Sequence, residues 1–120
     1  MLTGSCHCGA VRLEIDRKPQ SLTDCNCSIC RRYGALWAYY RRRSVRIGAA
    51  TGSLAIYVWG SKSVEFNHCA TCGCVVFHER AEKSGDETRL GINARMLAPE
   101  DIADIPVRRL DGASTWKYLD

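Results

Sequence analysis

Eight cysteines fall in three clusters: Cys6 and Cys8; Cys25, Cys27 and Cys30; Cys69, Cys72 and Cys74. As spacings, the chain reads C-x-C, sixteen residues, C-x-C-x-x-C, thirty-eight residues, C-x-x-C-x-C. An even number of cysteines leaves a disulfide framework arithmetically open. Cysteines two or three positions apart, however, make poor disulfide partners and good co-ligands for one thiophilic ion. Structural zinc takes four protein ligands, whereas catalytic zinc usually takes three and leaves a position for water or substrate. Glycine follows the second cysteine of two pairs, Cys8-Gly9 and Cys72-Gly73. Such a knuckle needs a residue that tolerates positive φ, and its N–H groups can point at sulfur. The matching knuckles predict a closed site of Cys6, Cys8, Cys69 and Cys72, which closes a long loop. Cys25, Cys27 and Cys30 are then left as a local, open, three-thiolate site. Cys74 or His68 is the alternative fourth ligand that would close it; Cys74 also reads as a small core residue. A four-sulfur set suits iron as well as zinc.

Other residues near these clusters invite chemistry. Arg31 and Arg32 follow the open site directly and suit substrate carboxylates; offsetting thiolate charge explains them equally well. His7 and His68 flank ligands without being needed as ligands. Strand alternation puts His78 on the face of Cys74 and Val76, as a partly buried structural histidine with a proton-transfer role open. Trp37 and Tyr39 either line a pocket or are buried in a sheet.

The elements that must position these residues are short. Val11–Asp16 alternates apolar and polar, a half-buried strand with Val11, Leu13 and Ile15 inward. Leu22–Asn26 is a strand running into the central cysteines, and Ser28–Tyr33 a short helix stopped at Gly34. Ala35–Tyr40 is apolar on both faces, as in a central strand. Further strands are expected around Val45 and Ile47, at Leu54–Trp59, Val64–Phe66, Cys74–His78, Thr88–Asn93 and Val107–Leu110. Lys83–Glu87 is a turn, and Ala98–Ile102 a short helix beginning at its proline. No linker or repeat interrupts the chain. The sum is a mainly β fold, one domain over residues 1–120, of many short antiparallel strands.

Hydrophobic residues at 46% and charged residues at 25% are ordinary for a globular domain, and 120 residues suffice for one modest core. No apolar run reaches membrane-span length, and Met1–Ser5 lacks the regions of a secretory signal. A cytoplasmic protein is expected, where clustered thiols stay reduced. Thirteen arginines, four lysines and a formal charge of +4 raise nucleic-acid binding as a possibility. Seven metal-bound thiolates contribute −7 and two zinc ions +4, which takes the formal +4 to +1. That near-neutral balance argues against a nucleic-acid partner.

Three stretches resemble the glutathione-dependent formaldehyde-activating (GFA) family, also called the centromere protein V/GFA domain. They are Gly4-Ser5-Cys6-His7-Cys8-Gly9-Ala10-Val11, Cys25-Asn26-Cys27-Ser28-Ile29-Cys30-Arg31-Arg32-Tyr33-Gly34 and Cys69-Ala70-Thr71-Cys72-Gly73. Gly91–Arg95 and Asp111-Gly112 are similar as well. The resemblance implies a β-rich fold and two zinc ions per chain. One is structural, on Cys6, Cys8, Cys69 and Cys72; the other is catalytic, on Cys25, Cys27 and Cys30. Independently of the resemblance, three local thiolates with an exposed metal would lose zinc more readily than a closed site. It implies a carbon–sulfur lyase that joins a thiol such as glutathione to a small aldehyde such as formaldehyde. Arg31 and Arg32 would hold the substrate carboxylates. Two other classes stay open: a non-catalytic zinc-stabilised β module that binds protein or nucleic acid, and a thiol redox or metal-handling protein.

Overall fold

The computed structural model describes residues 1–120. Alternating side chains in β2 (Val11–Ile15) bury Val11, Leu13 and Ile15 and leave Arg12 outside. β1 (Leu2–Ser5) and β5 (Val45–Ala49) pair antiparallel with its two edges, making a three-stranded sheet. The other strands are β3 (Leu22–Cys25), β4 (Trp37–Arg41), β6 (Leu54–Tyr57), β7 (Val64–Cys69), β8 (Val75–Arg80), β9 (Arg89–Asn93) and β10 (Val107–Leu110). They form a seven-stranded sheet in the order β10-β3-β4-β9-β8-β7-β6. One pair departs from the antiparallel expectation: β10 runs parallel to β3 and sets Leu110 beside Cys25. The long connection between them allows this, because a parallel pair needs a crossover rather than a hairpin.

The two sheets share one core. Ala38, Tyr40, Val76, Phe77, Leu90 and Ile92 of the larger sheet join Val11, Leu13 and Ile15 of the smaller. The outer face of the larger sheet carries a second apolar cluster of Trp37, Phe66, Val75 and Ala35, together with Cys25, Cys27 and Cys30. The two-sided burial expected of the central strand therefore holds: Trp37 faces out of β4 and Ala38 in.

A β-bulge changes the expected facing of His78. The β7–β8 register shifts between Asn67 and His68. A bulge breaks the two-residue alternation. Val76 and Phe77 thus both enter the inner core. His78 turns to the outer face, against Trp37 and Phe66, and does not share the face of Val76.

The sequence between β3 and β4 makes α1 (Cys30–Tyr33), stopped by Gly34 at φ 64°. α2 (Pro99–Ile102) starts at its proline. β6 is the free edge of the larger sheet and ends at Tyr57, short of Trp59. No helix is long and apolar enough to cross a membrane.

Candidate metal centres and the adjoining cavity

The closed cysteine set lies where the two sheets meet. Cys6 and Cys8 leave the end of β1, Cys69 ends β7, and Cys72 sits in the turn before β8. Their four sulfurs all lie within 4.8 Å of one another. Cys6 and Cys8 sulfurs are 3.7 Å apart, and those of Cys8 and Cys69 3.6 Å. A disulfide would bring them to about 2.05 Å. Four Zn–S bonds of about 2.3 Å in a tetrahedron separate sulfurs by about 3.8 Å, so the set fits one thiophilic ion. Backbone N–H groups point at the sulfurs as a thiolate site requires: Val11 donates to Cys6 at 3.3 Å, and Thr71 and Cys72 to Cys69 at 3.4 Å. Gly9 and Gly73 adopt φ 83° and 80°, the conformation the knuckles demand.

The second set is local. The end of β3 supplies Cys25, the following loop Cys27, and the start of α1 Cys30. Their sulfurs also lie within 4.8 Å of one another. Cys30 donates its N–H to the Cys27 sulfur at 3.4 Å, and the Trp37 indole N–H donates to the Cys30 sulfur at 3.3 Å. The hydrogen bond from the Cys30 thiol, aided by N–H groups of Cys27 and Gly112, brings Cys25 down to about 6. The same contact, with burial, drives Cys30 upward. The thiols thus share protons, and full ionisation of all three calls for a cation among them. The donor set fits a metal.

No fourth protein ligand completes this second set. Neither Cys74 nor His68 belongs to it. Cys74 lies beside the closed set instead, with its sulfur toward the His7 N–H and Cys72. Cys25, Cys27 and Cys30 are only 4%, 8% and 8% exposed, whereas Cys8 of the closed set is at the surface. The C-terminal loop covers the three cysteines, held by Asn26. Its amide donates to Asp111 at 3.1 Å and accepts from the Ala113 N–H at 2.9 Å.

A cavity of about 330 Å³ opens onto Cys25, Cys27 and Cys30. Its walls are mainly apolar and include Trp37, Tyr39, Phe66 and His78, with the exposed Trp59 and Trp116 at its rim. The His78 ring meets Trp37 edge-on at 4.5 Å. Burial, helped by nearby Arg89, lowers His78 to about 4, so it is neutral at pH 7. A larger groove of about 720 Å³ lies over the smaller sheet, but no cysteine or histidine lines it.

Arg31 and Arg32 do not enter the cavity wall. Both are exposed on α1, and Arg32 donates to the Ser28 carbonyl at 2.7 Å. Trp37 and Tyr39 both line the cavity, as one of their two expected placements has it; the indole donor to Cys30 is the part not expected. Asp111-Gly112, part of the resemblance, also brings the Gly112 N–H to the Cys25 sulfur. The indole donor and the backbone approach to sulfur arise from strand pairing, which spacing does not encode.

The profile of the glutathione-dependent formaldehyde-activating enzyme family matches residues 1–104. The fold is also similar to a crystal structure of a Rhodobacter sphaeroides protein, with a TM-score of 0.70 and 31% sequence identity over 88% of this chain and 99% of that one. Together with the three cysteine clusters, these matches lead to one conclusion: the chain belongs to the glutathione-dependent formaldehyde-activating enzyme family.

Proposed function

We propose that the protein is a zinc-dependent carbon–sulfur lyase that joins, or cleaves, a thiol and a small aldehyde above Cys25, Cys27 and Cys30. The observation that carries this reading is a three-cysteine set without a fourth protein ligand, opening onto a largely apolar cavity. Zinc bound there would supply an open coordination position that lowers the pKa of a thiol. Zinc at Cys6, Cys8, Cys69 and Cys72 would be structural. Glutathione and formaldehyde are the pair that the family description supports, and the cytoplasm is the compartment where both thiol substrate and cysteines stay reduced.

The chain's own residues have distinct tasks. Cys25, Cys27 and Cys30 would hold the ion. The N–H groups of Trp37, Cys30 and Gly112 point at the sulfurs and would favour their thiolate forms beside a bound ion. Trp37, Phe66 and Tyr39 keep water from the reacting carbon. In the forward reaction the thiol sulfur bonds to the aldehyde carbon, and the thiol proton ends on the former carbonyl oxygen. Neutral His78 lies in the cavity wall, where it can relay that proton. The reverse reaction breaks the same carbon–sulfur bond, so no further reactant is needed.

The test is Cys27→Ser, followed by metal content and by interconversion of S-hydroxymethylglutathione with glutathione and formaldehyde, corrected for the uncatalysed rate. The variant is expected to keep one metal and its fold and to lose turnover. Unchanged turnover would sink the assignment.

A further inference from the structure

We propose that Arg80 and Arg89 form the carboxylate-binding end of the substrate site, which selects a short peptide thiol lying along the outer face of β8 and β9. This rests on the three cysteines being the reacting centre. It moves the anion anchor away from Arg31 and Arg32.

The sheet register sets out the track. Phe66, His78, Gly91 and Tyr39 stand abreast on the outer face, through the pairs Phe66–His78, His78–Gly91 and Tyr39–Gly91. Two residues further along each strand, Val64 pairs with Arg80 and Arg41 with Arg89. The β8–β9 register, which pairs Glu79 with Leu90, then sets Arg80 opposite Arg89. Three arginines thus lie in one row across β8, β9 and β4.

Like charges set directly opposite on a sheet are destabilising. Arg42 and Lys83 are neutralised by Glu79 at 2.9 Å and Glu65 at 2.7 Å. The ion pairs of the protein include neither Arg80 nor Arg89. Arg41 reaches only the Glu87 main-chain carbonyl. A row of cations without acids is what an anionic ligand would relieve.

The space for that ligand is present. A second cavity, also about 330 Å³, is bordered by Arg80, Arg89 and Tyr118, with no acidic residue in its wall. It shares Tyr39, Val64, His78 and Leu110 with the cavity over the cysteines, so the two adjoin. The Arg89 guanidinium carbon lies 5.1 Å from the centre of the Tyr39 ring and so leans back toward the cysteines. Adjacent rows on one face are about 7 Å apart. Trp37, whose indole meets Cys30, stands two rows, about 14 Å, from the arginine row, a span that a tripeptide-length thiol covers together with the reach of the arginine side chains. The apolar wall between would take the peptide's uncharged middle.

The experiment measures binding of S-methylglutathione, which cannot react, and of its diethyl ester to the metal-loaded protein by tryptophan fluorescence. Wild type is expected to bind the acid more tightly than the ester. The double variant R80Q/R89Q should bind the acid about tenfold or more weakly, bind the ester within about twofold of wild type, and retain both metals. R31Q/R32Q should leave both ligands within about twofold of wild type. Equal binding of acid and ester by wild type, or a loss that follows R31Q/R32Q, would overturn the proposal. Turnover is scored separately. Arginine-dependent binding of the acid without any lyase activity would keep the carboxylate subsite and reject the reaction.

Discussion

A Cβ placed on Gly112 would lie 2.5 Å from the sulfur of Cys25. The same atom would stand 3.2 Å from the Cys27 Cβ and 3.3 Å from the Trp116 ring, so the loop has no direction in which to yield freely. Glycine is required here for close approach. Gly112→Ala should push the loop off the three-cysteine set and leave the distant four-cysteine set intact. Metal content should fall from two ions per chain to one, while the circular dichroism of the sheets persists. Two ions retained at wild-type affinity would show that the loop gives way without cost to the site.

Trp37→Phe tests the indole donor. Trp37 is 1% exposed, so the smaller ring also leaves a gap expected to cost about 1–3 kcal/mol of stability. The specific effect lies elsewhere. Without the 3.3 Å hydrogen bond to Cys30, that thiolate loses an N–H donor. Partners that hold metal ligands in this way are typically worth about 10–100-fold in metal affinity. Competition with a chromophoric chelator should show weakening of that size at one site and none at the other. Equal weakening at both would point to a general loss of stability.

The cysteine chemistry was legible in the sequence because metal ligands in one knuckle are sequence neighbours. Spacing and the glycines at positions 9 and 73 were enough to separate the four cysteines that gather in one cluster from the three in the other. Strand identities were legible for the same local reason: the alternation in Val11–Ile15 is visible without knowing its partner. The facing of His78 was not. It depends on a bulge where two strands meet, and periodicity assumes that no such bulge exists. Gly112 escaped for a related reason. A glycine needed for contact with Cys25, remote in sequence, looks the same on paper as a glycine needed for its own turn. Arg31 and Arg32 adjoin the open set along the chain. The arginine row on β8, β9 and β4 is adjacent only across strands.

His78 sets a pH dependence. Burial among Trp37, Tyr39 and Phe66, with Arg89 nearby, lowers it to about 4 in the folded protein, against 6.5 as its ordinary value. The unfolded chain therefore binds more protons between these values. Stability is fully present above about 6.5 and declines as pH falls toward 4, by up to about 3 kcal/mol. Proton competition for the cysteines acts in the same direction, so His78→Gln is the needed comparison. Denaturant melts of both proteins with metal at saturation should show a smaller acid decline in the variant. Parallel declines would assign the whole effect to the cysteines.

Chelation should distinguish the two metal sites by ligand number, not by exposure of their sulfurs. Cys8 is the most accessible thiol among the ligands, yet it belongs to a set in which three other cysteines must also let go. Cys25, Cys27 and Cys30 are buried, but the cavity beside them would let a small chelator reach an ion held there. A moderate chelator should remove one ion quickly with little change in sheet structure, and the second slowly, together with unfolding. Cys69→Ser should reproduce the second step alone, because that set joins β1 to β7 and so couples metal binding to the packing of the two sheets. A melting temperature lower by more than about 10 °C is expected for it. Cys27→Ser should melt close to wild type. If the two variants melted alike, or if the first ion to leave took the fold with it, the division into a closed structural set and an open one would be wrong.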